Sequence, residues 1–220
     1  MKKIGIILSG CGAFDGAEIH ESVLTIYYLN KAGAELSFYA PDVKQLQVMN
    51  HHTQQITPDE NRNVLEESAR IARGPVNNLS DMVIDELDAV VIPGGFGSAA
   101  NLSTYAVEGK NCKVNSELIE IIKSVISKGK VLGVICISPI LVACALKDSN
   151  LKPTITIGTD EELNDILAAW NANPVLAQAS EVIVDERNKI VTTPAYMLAE
   201  NIVEVGNGIE KFTNEIMRIV

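Results

Sequence analysis

The stretch GKVLGVICISPILVACAL, Gly129 to Leu146, decides how this chain is read. Val131 to Cys136 is an uninterrupted apolar run rich in β-branched residues, with the length of a buried strand. From Pro139 onward the composition suits a helix, and proline fits the first helical position, where its missing N–H costs little. A strand that passes straight into a helix leaves the residue between them on a tight turn. Here that residue is Cys136. Its side chain would point out of the sheet above free N–H groups and the positive end of the helix, which favour a thiolate and can hold an oxyanion. The competing reading is a small buried core residue, a common fate of cysteine. The segment alone does not separate the two.

Working outward, apolar runs and amphipathic runs alternate. KKIGIIL reads as a first strand, and AEIHESVLTIYYLNKAG carries Ile19, Val23, Ile26, Tyr27 and Leu29 at helical spacing up to the stop at Gly33. ELSFYAP is a second strand, residues 42–59 are irregular, and ENRNVLEESARIARG is a helix closed by Gly74. Ala89–Ile92 is a fully apolar strand that runs into Pro-Gly-Gly. SELIEIIKSVISKGK is an amphipathic helix, PTITIGT a strand, and DEELNDILAAWNA a helix with acids in its first turn. SEVIVDERNKIVTTP reads as two strands joined around Asp185–Asn188, and the last helix is expected to break near Gly206 and Gly208. Alternation of this kind predicts a single α/β domain over residues 1–220: three layers, a mostly parallel sheet with helices on both faces, of flavodoxin-like type. In such sheets reactive groups gather at the carboxyl ends of strands. Three ends stand out: Ser9–Glu21, Pro93–Ala100 and Cys136.

Composition narrows the partners. The 220 residues are 47% hydrophobic and carry a net charge of −10, which argues against nucleic-acid or anionic-membrane partners, since these need a basic face. After the two N-terminal lysines the apolar part is only Ile4–Leu8, too short for a secretory h-region. The longest uncharged stretch, Val131–Leu146, is short for a membrane span and contains a proline. The expectation is a cytoplasmic protein. Cys11, Cys112, Cys136 and Cys144 include no CxxC pair. A disulfide framework and a zinc site are not expected, and His51–His52 alone is too small a ligand set.

The Gly-rich turn after Ile92 lets the backbone approach a ligand, and the N–H groups of Gly94 and Gly95 can face developing negative charge. It is neither GxGxxG nor a P-loop. Glu18 and Glu21 lie one helical turn apart just after the first strand; each alone reads as a surface acid complementing the helix dipole. His20 is a pocket candidate through adjacency to Glu21. Asp15 and Asn101 follow strand ends and compete with plain turn chemistry. Tyr196, after TTP, is a further candidate.

Together these pieces resemble the class I glutamine-amidotransferase-like superfamily, in the branch holding PfpI-type peptidases, Parkinson-associated deglycase-like proteins and glutathione-independent glyoxalases. Over the whole chain, ILSGCGAFDGAEIHESVL, NVLEESARIARG, VIPGGFGSAANLS, TIGTD and NKIVTTPAYMLAENI resemble the ElbB, or ES-one, family, whose members have been named isoprenoid-biosynthesis or lycopene-enhancing proteins and glyoxalases. The resemblance implies a nucleophile elbow at Cys136, oxyanion donors at Ile137 and Gly95, and a cysteine-bonding glutamate at Glu21, with Glu18 as second choice. It also implies a homodimer. One departure matters: Ile137 follows the cysteine where peptidases and amidotransferases of this superfamily usually place histidine. The expected activity is therefore a cofactor-free glyoxalase acting on a small dicarbonyl. The alternatives are a redox-sensing or binding protein accessory to isoprenoid metabolism, and an amidase-like hydrolase.

Overall fold

The computed structural model describes all 220 residues. In chain order the elements are β1 (Lys3–Ile7), α1 (Ile19–Lys31), β2 (Glu35–Ala40), β3 (Met49–Asn50), β4 (Gln55–Ile56), α2 (Val64–Ala72), β5 (Asn77–Asn78), β6 (Ala89–Ile92), α3 (Phe96–Ala100) and α4 (Tyr105–Glu108). There follow α5 (Ser116–Ser127), β7 (Val131–Ile135), α6 (Pro139–Leu146), β8 (Thr154–Ile155), α7 (Glu161–Ala169), β9 (Asn173–Pro174), β10 (Ile183–Asp185), β11 (Ile190–Thr193) and α8 (Ile202–Ile219).

Seven strands form the central sheet in the order β10-β11-β7-β6-β1-β2-β5, and only the β10–β11 pair is antiparallel. This is the mostly parallel, helix-covered α/β sheet that the alternation predicts. β6 and β7 are buried along their whole length, which is why they read as continuous apolar runs. Their side chains alternate between two cores. Val90, Ile92, Leu132 and Val134 meet Leu118, Ile122 and Leu141 on one face; Ala89, Val91, Val131 and Ile135 meet Val205, Ile209 and Phe212 on the other.

The chain leaves β1 toward β2 and β5, then returns to β6, β7 and β11 on β1's other side. That reversal opens a crevice at the carboxyl end of β1, where ligand sites of open α/β sheets form. The register brings the ends together: Ile6 pairs with Val91, Ile92 with Val134, and Thr193 with Ile135. The residues that follow are Leu8 onward, Pro93-Gly94-Gly95, Cys136 and Pro194–Tyr196.

Two local expectations are corrected, and α1 adds an observation. α8 is continuous through Gly206 and Gly208. A Cβ at Gly208 would sit 2.8 Å from the Ala179 carbonyl, so this glycine serves close packing rather than a break. The PTITIGT strand shrinks to Thr154–Ile155 and pairs with Asn173–Pro174 in a separate two-stranded sheet. α1 buries Glu21, Ser22, Thr25 and Leu29, while its apolar positions Ile19, Val23 and Tyr27 face outward.

Candidate active site

The elbow at Cys136 is a strained turn. The cysteine has φ +62°, in the left-handed region that costs a non-glycine residue about 1–3 kcal/mol. Its surroundings hold it there. The Cys136 N–H donates to the Thr193 carbonyl at 3.0 Å. Two residues on, Ser138 Oγ donates to the Pro93 carbonyl at 2.6 Å and lies 2.9 Å from Ser98 Oγ. Pro139 then opens α6 at its first position. The serine pair ties the elbow to the Pro-Gly-Gly turn, and the N–H groups of Gly95 and Ile137 act on the sulfur to favour its charged form.

The Pro-Gly-Gly turn is in turn fastened to the loop after β1. Glu18 N–H donates to Gly94 O at 2.9 Å, Phe96 N–H to Ala13 O at 2.8 Å, and Gly97 N–H to Gly16 O at 2.9 Å. Side chains are excluded at this seam. A Cβ on Gly94 would lie 2.3 Å from Cys136 Cβ and 2.4 Å from Glu21 Oε2. Gly95 has φ +97°, which glycine alone adopts without strain, and a Cβ there would meet Glu18 N at 2.3 Å.

The two glutamates separate by environment. Glu18 is the N-cap of α1, and its Oε2 accepts from the Glu21 N–H at 2.7 Å. Glu21 is fully buried. Its Oε2 accepts from Gly94 N at 3.0 Å and its Oε1 accepts from Tyr196 N at 3.2 Å, and the carboxyl flanks Gly94 together with the Cys136 sulfur. Burial, and then the charge of Glu18, push the Glu21 pKa up to about 8 despite the hydrogen bonds that lower it. Burial and the charge of Glu21 also push the Cys136 thiol up, against the pull of the Gly95 and Ile137 N–H groups. Helix position alone would have lowered it, so desolvation is the larger effect. Two negative charges this close oppose each other, and the pair holds a proton at neutral pH. A protonated Glu21 that donates to sulfur supports the thiolate; an ionised Glu21 opposes it.

Residues 11–200 match the DJ-1/PfpI family. The chain belongs to the DJ-1/PfpI family. It is 38% identical over 226 residues to the human glutamine amidotransferase-like class 1 domain-containing protein 3, mitochondrial, covering 99% of this chain and 83% of that one. It is 35% identical over 210 residues to the zebrafish ES1 protein, mitochondrial, covering 88% and 76%. The crystal structure of an isoprenoid biosynthesis protein with amidotransferase-like domain from Ehrlichia chaffeensis superposes with a TM-score of 0.91 at 32% identity, over 99% of this chain and 100% of that one. Drosophila DJ-1beta shares the fold, with a TM-score of 0.55 at 18% identity, over 99% and 95%. These relatives correct the expected cytoplasmic location: the human, rat and zebrafish proteins are all mitochondrial by name.

In this member of the DJ-1/PfpI family a cavity of about 490 Å³ opens onto Cys136. Ala13, Phe14, Met49, Phe96, Ile137 and Met197 supply its apolar wall, and Glu18, Gln47 and Tyr196 its polar groups. The other candidates take different places. His20 is exposed, and its Nδ1 lies 2.7 Å from the Tyr196 hydroxyl. Burial and the charges of Glu18 and Glu21 raise the Tyr196 pKa, so that hydroxyl stays neutral. Asn101 is not at the cavity. Its Nδ2 donates to Ser9 O at 2.8 Å and Asp15 O at 2.9 Å, and its Oδ1 accepts from Leu46 N, so it clamps three loops. Asp15 is buried and accepts from Met49 N at 2.7 Å. His51 lies against Phe14, with ring centres 5.1 Å apart, and its Nε2 accepts from Phe14 N at 3.3 Å. Sequence reasoning missed Gln47 and Met49, which the irregular stretch carries in. It also missed Ser98, Ser138 and the Tyr196 backbone N–H, which no local pattern marks.

Proposed function

We propose that the chain, working as one domain over residues 1–220, is a glutathione-independent, cofactor-free glyoxalase. One observation carries the reading: the Cys136 sulfur and the fully buried Glu21 carboxyl meet at Gly94, where a single added carbon would lie 3.0 Å from Sγ and 2.4 Å from Oε2. The ionised form of Glu21, the minor form at neutral pH, takes the thiol proton as sulfur adds to an aldehyde carbon of the dicarbonyl. The hemithioacetal oxyanion sits between Gly95 N–H and Ile137 N–H and is protonated by Glu21. The regenerated carboxylate removes the C–H proton from that carbon, giving an enediolate, and returns the proton to the neighbouring carbon, while the hydroxyl proton of the first carbon passes to the oxygen of the second. The product at this stage is a 2-hydroxyacyl thioester. Water cleaves it to the 2-hydroxy acid and free Cys136. A carboxyl with a pKa near 8 suits both directions of proton transfer near neutral pH.

A redox-sensing role has one supporting observation, since a protonated Glu21 could donate to an oxidised Cys136 sulfur. Amidase chemistry has less support, because the sulfur's ionisable partner is a carboxyl rather than an imidazole. A homodimer is part of the proposal, supported by the outward row of Ile19, Val23 and Tyr27 on α1. The test is direct: incubation with glyoxal, without glutathione, should yield glycolate at roughly 1 per second or faster. A rate orders of magnitude lower with glyoxal and with larger 2-oxoaldehydes alike removes the glyoxalase reading and leaves the sensing one.

A further inference from the structure

The cavity is far larger than a two-carbon dialdehyde requires. Its volume of about 490 Å³ lies within the roughly 300–1,000 Å³ of sites that enclose drug-sized ligands. The space is also mostly apolar. Phe14, Met49, Phe96, Ile137 and Met197 line it, and the edges of Phe14 and Phe96 remain 39% and 38% exposed. Large aromatic side chains left half open beside a nucleophile are surface that a ligand can cover. Among the ionisable groups of the lining other than Cys136 and the neutral Tyr196, only Glu18 is charged, and it is an acid; no lysine or arginine is present to receive an anion. The overall charge of −10 has the same sign.

Resting on the glyoxalase reading, we infer that the substrates this site is built for are uncharged 2-oxoaldehydes carrying an apolar tail, rather than glyoxal, methylglyoxal or anionic dicarbonyls. The reaction geometry places the tail. Sulfur bonds to the aldehyde carbon, and Glu21 moves the proton from that carbon to the neighbouring one. The substituent on the second carbon then projects away from the sulfur into the Phe14–Phe96–Met49–Met197 space, while the Tyr196 hydroxyl, held by His20, and the Gln47 amide remain polar contacts at its edge. A carboxylate tail of equal length would meet Glu18 and no cation.

The test is a homologous series assayed with the intact protein: glyoxal, methylglyoxal, 2-oxohexanal and 5,6-dioxohexanoate, with the 2-hydroxy acid quantified in each case. Each fully buried methylene is worth roughly fourfold in kcat/KM. With one side of the cavity open, the expected rise from methylglyoxal to 2-oxohexanal is about tenfold or more, with 5,6-dioxohexanoate at least tenfold poorer than 2-oxohexanal. Met49→Ala should cut the ratio of 2-oxohexanal to glyoxal kcat/KM by about fivefold, by removing part of the wall the tail covers. Turnover of glyoxal with a flat or falling series overturns the inference and leaves the glyoxalase reading standing. Preference for the carboxylated substrate overturns it in the same way. Failure to turn over any member overturns both, and an unchanged Met49→Ala ratio refutes the placement of the tail.

Discussion

Gly94→Ala is the sharpest local perturbation the geometry offers. The new methyl carbon would lie 2.3 Å from Cys136 Cβ, 2.4 Å from Glu21 Oε2 and 3.0 Å from Cys136 Sγ. Comfortable contacts between carbon atoms begin at about 3.5 Å, so the overlap with Cys136 is roughly 1.2 Å. The backbone cannot easily retreat, since Gly94 N donates to Glu21 at 3.0 Å and Gly94 O accepts from Glu18 N at 2.9 Å. Either the thiol or the carboxyl must move by about 1 Å, and a displacement of that size costs on the order of 100-fold in rate. Overpacking should also cost about 1–3 kcal/mol, or roughly 2–12 °C in Tm for a chain of this length. Glycolate formation from glyoxal and a thermal melt measure the two effects. Gly74→Ala is the matched control, because a Cβ there meets nothing within 4 Å. A Gly94→Ala protein that turns over within threefold of wild type would refute the claim that catalysis runs through this contact.

Other consequences follow from the same geometry. Between pH 4.5, the ordinary value for glutamate, and about 8, the unfolded chain releases the Glu21 proton while the native chain keeps it. Native stability therefore falls as pH rises through that window, by up to about 1.4 kcal/mol per unit from this group. Glu21→Gln removes the effect, so its urea midpoint should gain on wild type from pH 5 to pH 8; parallel midpoints would contradict the raised pKa. Phe212, fully buried against Gly133 on the α8 side of the sheet, should cost about 3–5 kcal/mol when truncated to alanine, read as a lower urea midpoint. In alkylation with iodoacetamide, Cys136 should label before Cys112 and Cys144, because the Gly95 and Ile137 N–H groups work to lower its pKa whereas the neighbouring Cys144 adds to burial in raising that of Cys112. Peptide mapping that finds Cys112 modified first would remove the special status of the elbow.

The parts of this molecule visible in its sequence are those governed by local periodicity. Ala89–Ile92 and Val131–Ile135 read as strands because both of their faces are covered, which leaves no polar position to interrupt the run. The elbow is a candidate in the sequence because a strand, a cysteine and, three residues later, a helix-opening proline follow one another, while a buried core cysteine fits the same segment. What stayed hidden depends on distance in sequence. Glu18 and Glu21 share residue type and helix, and only the approach of Gly94 and Tyr196 distinguishes cap from buried acid. Ile19, Val23 and Tyr27 keep helical spacing yet face outward, so spacing identified a stripe without saying what lies against it. Gln47 and Met49 come from residues without periodicity and reach the cavity through the short β3–β4 hairpin and the Asp15 contact. The thiolate argument from the helix end omitted desolvation, which a sequence does not display and which here pushes the thiol upward.

The central claim is that Glu21 carries the proton for Cys136. Glu21→Gln preserves size and one hydrogen-bonding oxygen and removes the exchangeable proton. With glyoxal as substrate, and with Glu18→Gln assayed beside it, turnover of Glu21→Gln should fall by about 100-fold or more while Cys136 remains open to alkylation. Turnover within threefold of wild type in Glu21→Gln, or a large loss confined to Glu18→Gln, would contradict the account.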